Sequence, residues 1–190
     1  MGTRGFIGYK KDGEIKGFYN HNDSYYSYLG LKVLDNFKKY SNEEIEHFFT
    51  EKVEFIKNDT EDKYYENHRK IWEIDWLTDT IKLQDGTGFL WDSLFCEYGY
   101  VYNLDAKVLE IYRGFFKKPQ LEKDAKKYKV KEIFIKNEKE QYFTHLVCTV
   151  NKDEIVIVEK MFDDPDFEEN NDEEYPEKIF IEKEKQLKEI

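Results

Sequence analysis

YGYVYNLDAKVLEIYR, residues 98–113, is the stretch that decides the fold class. Tyr98, Tyr100 and Tyr102 alternate with smaller or polar residues, Asp105-Ala106-Lys107 interrupts the run, and Val108, Leu109, Ile111 and Tyr112 resume it. A period of two on both sides of a short polar connection predicts a β-hairpin. The N-terminus repeats the signal, with RGFIGYK (4–10) and EIKGFY (14–19) around Asp12-Gly13, a dipeptide suited to a tight hairpin turn. Between the hairpins the period changes. Leu29, Val33, Leu34, Phe37 and Tyr40 recur at helical spacing and predict one buried stripe. Ser41-Asn42-Glu43-Glu44 then matches a capping box, with Ile45, Phe48 and Phe49 facing inward on a second helix.

Further strands are expected at 53–57, 130–136, 142–150 and 154–158. A brief helix capped by Asp59 or Thr60 would run through Tyr64 and Tyr65. Residues 71–83 read either way, and Asp85-Gly86 marks a turn. Hairpins with helices inserted between them predict an α+β fold. Its sheet would be antiparallel or mixed, built from hairpins, with helices packed mainly on one face. The expected organisation is a core domain over 1–162, an acidic segment over 163–176, and a strand or helix extension of the same domain over 177–190.

At 190 residues the chain fits one domain, large enough to bury roughly 70% of its unfolded surface without disulfides or metal. Fifteen Phe, fifteen Tyr and three Trp offset a charged fraction of 37%, so the sequence does not read as disordered. Cys96 and Cys148 lie in apolar runs without CxxC spacing, which predicts buried free thiols and a reducing compartment. The first residues lack the apolar run of a signal peptide, and Phe6 breaks the myristoylation pattern. No apolar stretch approaches the roughly 20 residues of a membrane span. A cytoplasmic protein is expected. The net charge of −11 disfavours a nucleic-acid backbone or an anionic membrane as direct partner.

Thr3, Arg4, Asn20, His21, Asp23, Ser24 and Tyr25 fall at the open end of the first hairpin, where the pairing of its strands predicts one polar patch. The patch adjoins a helix start, whose free N–H groups and dipole favour an anion. Arg4 would grip a carboxylate or phosphate in bidentate fashion, and His21 would serve as an acid, base or ligand near neutral pH. A bland reading stands beside this one: Asp23 or Ser24 caps the helix, and Asn20 holds a turn.

The motifs Thr3-Arg4-Gly5, Tyr19-Asn20-His21-Asn22-Asp23-Ser24-Tyr25 and Leu29-Gly30, with EYGYVYNLD (97–105) and LEIYRG (109–114), resemble an uncharacterised family of bacteria and their phages. The resemblance covers the first 40 residues and about 97–114. It implies a fold and a candidate site, without a reaction. A hairpin start with nearby Arg, Asn and His also superficially resembles an N-terminal-nucleophile hydrolase. That mechanism needs Cys, Ser or Thr at the processed terminus, whereas removal of Met1 leaves Gly2. Phosphate-loop, dinucleotide, zinc and nucleophile-elbow patterns are missing from the sequence. No catalytic residue, cofactor or metal is therefore expected.

Residues 163–174, DDPDFEENNDEE, carry Asp163, Asp164, Asp166, Glu168, Glu169, Asp172, Glu173 and Glu174 and no basic residue. They account for most of the net charge. Like-charge blocks are commonly solvated connections, and the glycine-bearing calcium loop is lacking. The sharper reading is a surface for a basic, nucleic-acid-binding partner, with Phe167 and Tyr175 as apolar anchors. On that reading the chain is a non-enzymatic binding protein, an anti-defence inhibitor of phage or mobile-element type similar in kind to anti-CRISPR proteins. The alternative is a small-molecule site for a nucleotide or other anion, or a hydrolase-like site, at the N-terminal cluster.

Overall fold

Both hairpins form, and they lie side by side. β1 (Gly5–Lys11) and β2 (Glu14–Asn20) pair antiparallel through Asp12 and Gly13, whose φ angles of 52° and 77° place both in the left-handed region that a tight two-residue turn requires. Farther along, β3 (Val53–Ile56) and β4 (Ile81–Gln84) make a separate parallel pair. β5 (Tyr98–Asn103) and β6 (Val108–Lys117) form the second hairpin, and β7 (Tyr142–Val150) pairs antiparallel with β6. β1 pairs parallel with β5, which gives a mixed sheet of order β2-β1-β5-β6-β7. The fold is α+β. The structure, a computed structural model, describes residues 2–57, 67–91, 95–117 and 142–165.

The helices are α1 (Leu31–Lys39), α2 (Asn42–His47), the single turn α3 (Asn67–Lys70) and α4 (Ile155–Phe162). Ser41 caps α2 in the box read from the sequence: its hydroxyl accepts from Glu44 N–H at 3.1 Å, while Glu44 accepts from Ser41 N–H at 2.7 Å. One expectation is corrected here. Residues 154–158 are helical: Asn151 and Glu154 build a second capping box at the start of a 3-10 turn, Lys152–Glu154, that runs straight into α4. Ile155, Val158, Met161 and Phe162 are then buried along one side of α4, and a β-branched run that reads as a strand follows its cap instead. The expected helix around 59–65, the strand at 130–136 and the C-terminal extension lie outside the described residues.

Alternation gives the sheet two different faces. Ile7, Tyr9, Tyr100, Tyr102, Leu109 and Ile111 pack in one cluster with the buried stripes of α1, α2 and α4. Within it Trp76 is sandwiched between Tyr40 (ring centroids 5.2 Å apart) and Phe48 (4.3 Å), both nearly parallel to it, and its indole N–H donates to the Ile71 carbonyl. On the other face Phe6, Val101 and Tyr112 pack with Leu90 and Cys96. There the Phe6 ring lies across two cross-strand glycines. A Cβ at Gly17 would sit 2.2 Å from the Ile7 carbonyl oxygen and 2.4 Å from the ring, and one at Gly8 would sit 2.2 Å from the Lys16 carbonyl oxygen and 2.8 Å from the ring, so neither position tolerates a side chain without shifting the backbone.

The β2 edge is met at Gly17 by the chain that follows β4. Gly17 N–H donates to Thr87 Oγ1 at 3.2 Å, and the Gly17 carbonyl accepts from Gly86 N–H at 2.9 Å. The two edge groups of Gly17 are therefore not open to another strand. Among the described residues no helix is long and apolar enough to cross a membrane.

Candidate functional site

Where β2 ends, the chain turns a tight corner held by its own polar side chains. The Asn20 amide donates to the Asn22 carbonyl at 2.5 Å and to Ser24 Oγ at 2.8 Å. Asp23 takes a left-handed φ of 53°, which Asp tolerates better than most residues. Ser24 N–H donates to the Thr3 carbonyl at 3.2 Å, and the Ser24 carbonyl accepts from the Tyr100 hydroxyl at 3.0 Å. Tyr25 then packs edge-on to Tyr98, and a π-helical turn over Tyr26–Gly30 leads directly into α1.

These contacts divide the seven residues named from the sequence. Thr3 and Ser24 are buried and serve the corner. Tyr25 leans on the sheet. Arg4 stands apart, its guanidinium 5.2 Å from the Phe95 ring centre and its amide N–H donating to Glu97 Oε1. The structure brings Thr3, Asn20 and Ser24 together at the corner, while the ring against the Arg4 guanidinium is that of Phe95. Neither Asp23 nor Ser24 caps the helical turn, which has no side-chain cap. Asn20 does hold a turn.

The other three, Asn20, His21 and Asp23, line a groove of about 1170 Å³. Its second wall is Tyr28, Leu29, Lys32, Asp35 and Asn36, from the π-helical turn and α1, and its third is His68, Arg69, Lys70, Trp72 and Glu73, from α3 and the turn after it. Leu29 and His68 are buried and form the floor. Tyr28 is half exposed, with Lys32 Nζ 4.2 Å from its ring centre, a spacing at which cation and ring attract. Trp72 adds a second, partly buried ring. His21 accepts or donates through Nδ1 to the Tyr19 hydroxyl at 2.6 Å. With Tyr19 as donor, Nε2 of His21 carries the proton and is itself a donor.

His68 is 4% exposed and lies 4.9 Å from the Phe18 ring. Burial penalises its charged form and pushes its pKa down to about 4, against the opposing pull of a hydrogen bond to the Tyr19 backbone. The floor imidazole is therefore neutral near pH 7. Charge on the groove comes from the rim: Lys32, Arg69 and Lys70 against Asp23, Asp35 and Glu73. A surface with rings, cations, carboxylates and amides in one concavity can orient a ligand that has both a ring and a charge.

Lys32, His68, Arg69, Lys70 and Trp72 were not among the residues singled out from the sequence. Asn67-His68-Arg69-Lys70 has no apolar period and no turn signature, and only the tertiary fold sets it opposite His21. Among the described residues no group of three or more His, Cys, Asp or Glu is placed to hold a metal ion. Of the acidic segment, Asp163 and Asp164 are exposed just past α4. Asp166, Phe167, Glu168, Glu169, Asp172, Glu173 and Glu174 lie outside the described residues. The chain matches no protein-family model, and comparison with curated proteins and with solved structures likewise finds no match.

Proposed function

We propose that this is a non-enzymatic binding protein whose ligand, a small organic anion carrying a ring, occupies the groove between the end of β2, α1 and α3. The observation that carries the reading is the juxtaposition of Lys32, Arg69 and Lys70 with Tyr28 and Trp72 around one concavity. Native mass spectrometry of the full chain purified under mild conditions is the first test. The expected result is a retained small molecule that is released on denaturation and lost in a Lys32→Ala/Arg69→Ala variant. A ligand-free protein that also binds no aromatic anion added at millimolar concentration contradicts the reading.

The concentration of eight carboxylates within residues 163–174 favours a second reading. In it the acidic segment engages a basic nucleic-acid-binding protein, as an anti-defence inhibitor would, and the long-range field speeds the encounter. Replacing the eight with Asn and Gln is expected to abolish such binding at low salt, and unchanged affinity contradicts it. Cys96 and Cys148 are buried and outside any disulfide, which supports a place in the cytoplasm.

A further inference from the structure

The geometry points to a narrower ligand class: we infer that the groove takes a nucleotide with a single phosphate, a nucleoside monophosphate in preference to the triphosphate. This rests on the groove being the ligand site. Arg69 and Lys70 are consecutive and exposed on α3, and together they offer a planar fork and a point charge to one phosphoryl group. Tyr28 and Trp72 supply faces for a base, since every base has a π-face and stacking on an aromatic side chain is worth about 1–3 kcal/mol.

The charge count then sets how many phosphates the groove accepts. Lys32, Arg69 and Lys70 are matched by Asp23, Asp35 and Glu73 among the described lining residues. One phosphomonoester, at about −1.5 to −2, is neutralised by two of the cations. Each further phosphate would find one lining cation left to meet it and three lining carboxylates to repel it. The same carboxylates are acceptors for sugar hydroxyls, which a ribose supplies as an adjacent pair. The groove volume of about 1170 Å³ holds such a ligand with its water, since drug-sized sites run to roughly 1,000 Å³.

Calorimetric titration of the full chain with each of the four ribonucleosides, its monophosphate and its triphosphate, and with an aromatic sulfonate, tests the inference. At least one monophosphate is expected to bind roughly tenfold more tightly than both its nucleoside and its triphosphate. In an Arg69→Gln/Lys70→Gln variant, that monophosphate is expected to fall to the affinity of its nucleoside, while the nucleoside is unchanged. Both positions are exposed, so folding is preserved, and an unaltered circular dichroism melt verifies this. A triphosphate that binds more tightly than the monophosphate overturns the inference, as does a double variant with unchanged monophosphate affinity. Binding of an aromatic sulfonate in the groove without any nucleotide overturns the inference and leaves the groove reading standing. Failure of every probe overturns both.

Discussion

The two ends of the paired hairpins use polar side chains in opposite ways. At the turn end the Asp105 carboxylate accepts from Asp12 N–H at 2.9 Å and Gly13 N–H at 3.1 Å, clasping one hairpin turn to the other. Lys11 and Lys107 reach α2 through Glu46 and Glu43. Each of these groups answers another group of the same chain. At the open end Asn20, Ser24 and Tyr100 complete the corner in the same manner, but His21, Asp23, Arg69 and Lys70 face a groove. Polar residues bound into the backbone explain shape, while those left around a concavity point to a ligand.

Acid should separate the two ends, and it gives the largest expected effect. His68 has its folded pKa lowered from 6.5 to about 4. The unfolded chain therefore binds its proton first, and stability that is complete above pH 6.5 is lost as pH falls toward 4. The shift corresponds to about 3 kcal/mol. Asp105, held below its ordinary 3.8 by the Asp12 and Gly13 amides, contributes stability above that value and loses it only as pH falls through the folded one. Urea unfolding at a series of pH values is expected to show the first loss, absent in a His68→Phe variant. The Asp12 and Gly13 amide resonances should titrate only in the lower window. A common window for both would break the comparison.

Substitutions sharpen it further. Tyr100→Phe leaves the Ser24 carbonyl without its buried donor and is expected to cost about 2 kcal/mol in chemical denaturation. Ser41→Ala, at the turn end, removes half of a capping box and is expected to cost about 1 kcal/mol. His21→Ala should change stability by less than about 0.5 kcal/mol, because the ring is exposed and bonds only to Tyr19 among the described contacts. A large loss there would place His21 with the corner.

The hairpins were legible because the period of two and the Asp12-Gly13 turn are local, and so was the Ser41 capping box. The parallel pairing of β1 with β5 was not, since nothing within either strand states which edge it will meet. The helical run at 155–158 was hidden by its β-branched residues, although Asn151 and Glu154 carried the cap. The candidate site was half visible. Asn20, His21 and Asp23 stood out as a polar corner, whereas Arg69 and Lys70 join them only through packing across dozens of residues.

The most direct measurement is a two-dimensional amide spectrum of the full chain titrated with adenosine monophosphate and, separately, with an aromatic sulfonate. The expected result is saturable shifts confined to residues 20–23, 28–36 and 68–73, with Asp12, Gly13 and Asp105 unmoved. No saturable shift in the groove with either probe, or shifts centred on the turn end, would contradict the assignment of the groove as the ligand site.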